Sequence, residues 1–282
     1  MARMARAAGV ARATRVAAWR PVVPALVATL LLFGGALTGA LRTSLAPLPG
    51  QPATLAAWER VLGDPRFHEA AAFTVALAVV ATALSVLLAV PIAALLRHRR
   101  AVQTLVVLPV LLPHLLVAVV VVLWLGPGGL VDRLVADLPQ VVRAPSGLGI
   151  VLVYVLKEVP FLVLLVLAVW DEQVEQRREV AATLGVGPLR SLRLVVLPAV
   201  RAPLLLGAAV VMAFVLGFLH VPAVVGPTDP VTVPVYAVEA TRVRGLAGQA
   251  DAAVALLVAS GIALLLAGAA GVLVRRLDGV RR

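Results

Sequence analysis

Apolar and polar positions along this chain fall into long blocks rather than short alternations. Runs rich in Leu, Val and Ala cover residues 21–41, 70–96, 102–125, 147–170, 202–225 and 251–274. A bilayer core of about 30 Å is crossed by a helix of about 20 apolar residues, and each run is of that order. None keeps the period of two that a membrane barrel strand requires. The pattern therefore predicts an all-α membrane protein with six transmembrane helices. The loops between the runs are moderate, so residues 20–282 read as one transmembrane domain, with no separate soluble domain.

One polar stretch interrupts this pattern in a structured way. DEQVEQRREVAATLGVGPLRSLRLVVLP, Asp171 to Pro198, mixes both charge signs between two apolar runs. Asp171 and Glu172 suit a helix N-terminus, and Gly185 and Gly187 suit its end. Pro188 suits the first turn of a second helix, with Leu189, Leu192, Val195 and Val196 on one face and Arg190 and Arg193 on another. Leu197-Pro198 marks re-entry into the membrane. The segment reads as a helix–turn–helix at the membrane surface. The small residues Ala181 and Ala182 before the turn permit close approach by another protein.

Composition agrees with the class: 62% of residues are hydrophobic and the mean hydropathy is +1.04. The net charge of +11 raises the question of nucleic acid, but its distribution answers it. Arg3, Arg6, Arg12, Arg15 and Arg20 precede the first run, and Arg97, Arg99 and Arg100 follow the second. Arg177, Arg178, Arg190, Arg193 and Arg201 lie between the fourth and fifth. Arg275, Arg276, Arg281 and Arg282 follow the sixth. All of these fall on one side of a six-span topology. The opposite side holds fewer: Arg42, Arg60, Arg66, Arg133, Arg143, Arg242 and Arg244. The positive-inside rule places both termini and the 171–198 loop in the cytoplasm. No platform of aromatic and basic residues accompanies the arginines, so no nucleic-acid role is expected. Residues 1–19 read as a basic cytoplasmic tail against anionic lipid. The apolar run after them exceeds the length of a signal peptide's core, so a retained first span is expected. Cysteine is absent, which excludes disulfides and thiolate metal sites.

Outside the spans, ATLAAWERVLGDPRFHEA reads as a short amphipathic helix, a turn at Gly63-Asp64-Pro65 and an entry into the second span. Thr74, Ala78, Thr82, Ser85 and Ala89 form a small-residue stripe, repeated in the last span by Ala259, Ala263, Ala267 and Gly271. Such stripes let helices approach closely in lipid. Pro109 and Pro113 loosen the third span. Asp229, Glu239, Arg242 and Arg244 read as a solvated outer loop that meets an external protein.

Lys157 and Glu158 fall near the middle of the fourth span, just before Pro160. An ionisable residue at the bilayer centre costs about 2.5–3.5 kcal/mol on insertion scales. As sequence neighbours on a helix they point about 100° apart and cannot pair face to face. Two readings stand: a gate or pathway group, and a buried inter-helix bond or a bond to backbone freed by Pro160. His114 and His220 divide likewise between pathway lining and ordinary inter-helix hydrogen bonds.

The segment EVAATLG followed by LP resembles the EAA loop of ABC importer permeases, the inner-membrane subunits of binding-protein-dependent uptake systems. Glu179, Ala181, Gly185, Leu197 and Pro198 stand in register with that pattern, and Val180 departs from its usual Ala. The resemblance extends over residues 54–275. Near residues 214–238 it is most like the polyamine-, thiamine- and iron-type branch, with His220 where Glu is common before Val221-Pro222. What the resemblance implies is a type I permease fold in a prokaryotic inner membrane. It implies a coupling loop of Glu179, Val180, Ala181, Ala182, Gly185, Leu197 and Pro198 that docks on a separate ATPase dimer. It also implies a second permease copy or paralogue, an extracytoplasmic substrate-binding protein, and a small polar solute, polyamine-like as first choice. ATP is then bound by the partner. This chain has no catalytic or metal site and requires no cofactor of its own, since its single lysine lies in no P-loop. The competing reading is a gradient-driven secondary transporter with Lys157 and Glu158 as its coupling site.

Overall fold

The computed structural model describes residues 22–279, apart from residues 47, 49 and 136–138; side chains at 100, 107, 274 and 277–279 are also not described. The basic tail 1–19 and the terminal arginines Arg281 and Arg282 lie outside the described residues. Everything regular among the described residues is helical.

In chain order the helices are α1 Val22–Leu45, α2 Ala56–Leu62, α3 Pro65–Leu96, α4 Arg100–Leu111, α5 His114–Leu125 and α6 Leu148–Val169. There follow α7 Glu172–Thr183, α8 Pro188–Ser191, α9 Leu197–Gly217, α10 His220–Val225, α11 Val233–Arg244 and α12 Leu246–Gly279. Five stretches are long and apolar enough to cross a bilayer: α1, α3, α6, the run Pro188–Gly217 and α12. The sixth candidate is the pair α4 and α5, which passes the same test only when the two are taken together and is bent by 98°, the form of a broken span or a re-entrant loop.

The expected third span is therefore not one straight helix. Pro113 disfavours helical geometry in the residue before it, and Leu112 is extended at φ −78°, ψ 140°. The fifth span is also displaced from 202–225 to Pro188–Gly217. It begins in the charged loop, without a break at Leu197-Pro198. A π-helical turn, Leu192–Val196, joins α8 to α9. A widened turn absorbs a residue that has no N–H and crowds the preceding carbonyl. The helix then ends at Phe218, which is extended, and α10 follows as a separate short helix.

α6 is the hub. Of its apolar window 61% is buried, against 0% for α1. It packs against α3, α4, α5, α9 and α10, while α12 packs against α9, α11 and α1. Ile150, Val153, Tyr154, Leu162 and Val166 of α6 meet Ala78, Ala81, Ala89 and Ala93 of α3 and Val200, Leu204 and Val211 of α9 in one core. Lipid tails are as apolar as these side chains, so close packing, not water exclusion, must hold such helices together. The α3 stripe does this: Thr74, Ala78, Thr82, Ser85 and Ala89 are all buried. On α12 the stripe faces inward less completely, with Ala259 buried and Ala263, Ala267 and Gly271 half-buried.

A second core closes the outer end. Val61 of α2 and Phe67 and Ala70 of α3 pack on Val233, Tyr236 and Ala237 of α11 and on Ala250, Val254 and Ala255 of α12. Asp64 caps α3 by accepting from the Arg66 N–H at 3.0 Å, and Pro65 follows it at N1, as the Gly-Asp-Pro turn foretold. Thr74 accepts from the Val233 N–H at 2.9 Å, satisfying one of the unpaired donors at the start of α11.

At the α11–α12 turn the two helices nearly touch backbone to backbone. A Cβ at Gly248 would stand 2.0 Å from the Ala240 carbonyl oxygen, a group that cannot swing aside. Gly248→Ala is expected to lower stability in detergent by about 1–3 kcal/mol, as overpacking does. Gly261→Ala, on the same helix with nothing within 4 Å, is expected to be neutral or to gain up to about 1 kcal/mol. Thermal melts of the two variants beside wild type check both.

Candidate functional site

Two polar centres stand out, one inside the bilayer region and one at the cytoplasmic end. The first is built around the break between α4 and α5. A helix end leaves carbonyls without intrahelical donors, and at this depth no water replaces them. Pro113 has no N–H to offer the Pro109 carbonyl, which receives only a long bond of 3.3 Å from the Leu112 N–H. Lys157 supplies what is missing. Its Nζ donates to the carbonyls of Pro109 at 2.5 Å, Leu112 at 2.5 Å and Val110 at 3.2 Å. Three ammonium protons meet three carbonyls, and the positive charge faces the negative end of the α4 dipole.

Glu158, the next residue, points to the other side of the break. Its Oε1 lies 3.0 Å from Nε2 of His114, the first residue of α5. Its negative charge thus stands by the positive end of α5. The sequence neighbours do not pair with each other; they divide the two halves of a broken helix between them. Of the readings left open by the sequence, the contacts are bonds to another helix, at the backbone freed by Pro113 and not at that freed by Pro160. His114 is enclosed by rings: Phe214 at 4.6 Å, Phe218 at 5.3 Å and Tyr154 at 6.4 Å between centroids. His220 does not join Glu158. It is exposed at the start of α10, 5.3 Å from the Phe218 ring.

The second centre is the charged hairpin. Asp171 is the N-cap of α7 and accepts from the Val174 N–H at 2.9 Å. α7 ends in a Schellman motif: the Val186 N–H bonds to the Ala181 carbonyl at 2.9 Å and the Gly185 N–H to the Ala182 carbonyl at 3.0 Å. That motif requires a left-handed residue, and Gly185 has φ +78°. Glu179, Ala182 and Gly185 are exposed, Ala181 is half-buried, and Val180 and Leu184 are 59% and 77% exposed. Leu197 is exposed and Pro198 half-buried at the start of α9, away from this tip.

The base of α7 is held by a cluster that sequence reading missed. Glu175 accepts from Arg97 at the end of α3, from the Trp170 indole N–H at 3.1 Å and from Arg178 at 3.3 Å. The guanidinium carbons of Arg97 and Arg178 lie 5.2 and 5.4 Å from the Trp170 ring centre, within cation–π range. A Trp at the end of an apolar run with Glu and Arg three residues apart nearby was a usable signal. The partner Arg97 lies far away in sequence.

The region 229–244 is a loop only as far as Thr232, and Val233–Arg244 is helical. Among its residues, α11 carries Glu239, Arg242 and Arg244, and the first and last of these bond across the outer end. Asp251, 2% exposed, accepts from Arg60 at 2.7 Å and Arg244 at 2.9 Å. Glu239 pairs with Arg66 at 3.4 Å, and the Tyr236 hydroxyl donates to Asp64 at 2.7 Å. Burial, and then the Asp64 carboxylate, push the Tyr236 phenol above its ordinary pKa, so it remains the donor at neutral pH. These residues line an open cleft of about 270 Å³.

Removing Lys157 leaves its carbonyls without donors in a dry site. Lys157→Met is expected to destabilise the detergent-solubilised protein by about 2–4 kcal/mol, the cost of several orphaned buried acceptors. Glu158→Gln retains a group that bonds His114 and is expected to cost about 1 kcal/mol. The order of their melting temperatures checks the assignment.

Comparison with known proteins bears on the whole arrangement. The profile of the family described as "Binding-protein-dependent transport system inner membrane component" matches residues 85–279, more than half of the chain. No curated protein matches the sequence. The fold is similar to that of a chain in the crystal structure of a bacterial alginate ABC transporter in complex with alginate pentasaccharide-bound periplasmic protein. The TM-score is 0.73 at 17% identity, over 92% of this chain and 94% of that one. A chain of a bacterial ABC transporter involved in the import of the acidic polysaccharide alginate gives a TM-score of 0.69 at 19% identity, with the same coverage. At such identity the likeness speaks for the fold, and the family match speaks for the class. This chain belongs to the inner membrane components of binding-protein-dependent transport systems, the permease subunits of ABC importers.

Proposed function

We propose that this chain forms half of the translocation pathway of an ATP-driven importer and takes its drive through the 171–198 segment. The observation that carries the reading is the tip of the hairpin. Val180, Leu184 and Leu189 are 59%, 77% and 79% exposed, beside exposed Glu179 and Arg190. An apolar patch rimmed by charge, outside the membrane and on a helix fixed at its base, is the form of a protein-binding surface. Its occupant is the groove of a separate ATPase, and Glu179 pairs there with a basic group. A second permease, as copy or paralogue, completes the pathway. An extracytoplasmic binding protein delivers the solute at the outer end formed by α2, α11 and the start of α12.

The solute is a small polar molecule, a polyamine as first choice, with thiamine, ferric iron and organophosphonates as rivals. The support is the sequence likeness over residues 214–238; the alginate systems share the fold at low identity. In this reading His114, Glu158 and His220 line or gate the path, and Lys157 holds the α4–α5 break beside it. A gradient-driven transporter with Lys157 as coupling group is disfavoured, because all three of its protons are engaged by carbonyls.

Glu179→Arg is expected to insert normally, lose the co-purifying ATPase in mild detergent and reduce uptake by about tenfold or more, the loss expected for a charge reversed against its partner. Gly185→Trp is expected to do the same by forcing a side chain into a left-handed position. Normal uptake by both variants would count decisively against coupling through this loop. For the solute, ATP hydrolysis by the reconstituted complex with its binding protein is expected to rise with spermidine; stimulation by alginate oligosaccharide alone would overturn the polyamine choice.

A further inference from the structure

The cluster under α7 has more order than a docking helix needs for its own stability. Val174 is the one residue of α7 that is buried, so apolar packing gives the helix little hold on the rest of the protein. Its covalent link to α6 is a corner. Trp170 leaves helical geometry at φ −79°, ψ 76°, and Asp171 is extended at φ −81°, ψ 179°. Two non-helical residues in succession make a pivot, not a lever. Glu175 instead ties the helix sideways to the end of α3 through Arg97, with Trp170 and Arg178 on the same carboxylate. The side chains of Arg97 and Arg178 are 17% exposed and that of Glu175 23%. The pair is therefore screened by water far less than an open surface pair, and planar guanidinium groups over an indole fix direction as well as distance.

α3 is well placed to carry what it receives. It runs as one helix from Pro65 to Leu96. Its small-residue stripe packs in the middle of the protein, and its outer end holds α11 through Thr74 and Asp64. A displacement applied to α7 thus reaches α11 through one continuous element, whereas the route through α6 passes the non-helical corner at Trp170-Asp171.

We propose that Arg97, Trp170, Glu175 and Arg178 form the joint that transmits movement of α7 into α3, so that they are positioning residues for transport. The proposal rests on the reading of 171–198 as the coupling segment. The docking tip at Glu179, Val180 and Leu184 lies beyond this joint, so docking and transmission are separable. A break in the joint leaves the ATPase attached and lets it cycle without moving the pore.

The test uses the whole complex in liposomes, with Arg97→Glu, Glu175→Arg and the double variant, and reads solute moved per ATP hydrolysed. Each single variant places like charges together at Trp170. The ratio is expected to fall by about fivefold or more in both, with the ATPase still bound. It is expected to recover to within about twofold in the double variant, where the carboxylate moved to position 97 again faces guanidinium groups on α7. A purely structural role predicts loss of assembled complex with an unchanged ratio in what remains, and that result overturns the joint. Because the chain has no cysteine, a spin-label pair at His98→Cys and Gln176→Cys gives a second readout. A narrow distance distribution, broadened by Glu175→Gln, is expected; no broadening overturns the joint even where the ratio falls. A wild-type complex that contains no ATPase would overturn the coupling reading itself, and is thereby told apart from a bound ATPase with unchanged ratios in all variants.

Discussion

Hydrocarbon offers no hydrogen bonds, so each backbone N–H and C=O at membrane depth must find its partner within the protein. Among the described residues the candidate spans run as continuous helix except at Leu112-Pro113, where α4 ends and α5 begins. The three bonds from Lys157 to the freed carbonyls are what make the break tenable. Their consequence is architectural. With the break held against α6, α5 swings through 98° and lies against α10, and the aromatic group about His114 assembles beside Glu158.

Outside the bilayer a different logic holds the two ends. At the outer end Asp251 is buried and takes a guanidinium on each oxygen, from Arg60 of α2 and Arg244 of α11. At the inner end Glu175 takes two guanidinium groups and an indole N–H. A buried carboxylate that lost its partners would be costly, and one fully bonded fixes geometry. Between these polar clamps the middle of the protein is held by small residues and close contact. α3 reaches both ends, near Asp64 on the outside and at Arg97 on the inside, and so spans the protein as an internal strut.

Much of this was legible from residues alone because local patterns carry their own cause. Asp171, Gly185 and Pro188 foretold the hairpin, and Asp64-Pro65 foretold the start of α3, since caps and turns depend on neighbours in sequence. The stripe at Thr74, Ala78, Thr82, Ser85 and Ala89 foretold the buried face of α3 for the same reason. Two things were read amiss. Leu197-Pro198 was read as the re-entry into the membrane, but the span already begins at Pro188, and a π turn accommodates the second proline. Residues 229–244 looked solvated because they are charged, yet Glu239 and Arg244 are engaged by Arg66 and Asp251. For Lys157 the residues left open a pathway role, an inter-helix bond and a bond to backbone freed by Pro160; its partners are Pro109, Val110 and Leu112, some 45–48 residues away in sequence.

By itself the sequence determined that this is a helical membrane protein, which part of its charged loop is structured, and, through the EAA-like pattern, that it is an importer permease. The first two follow from hydrophobic length and local turn chemistry and the third from a motif resemblance, and none needs a distant partner. Only the tertiary structure decided where Lys157 and Glu158 point, that His114 and not His220 meets Glu158, and that Arg97 anchors α7. Those are contacts between helices. In a chain whose spans are almost uniformly Leu, Val and Ala, hydrophobicity fixes that a helix crosses the membrane and leaves its neighbours and rotation to packing and to the few polar groups that must be satisfied.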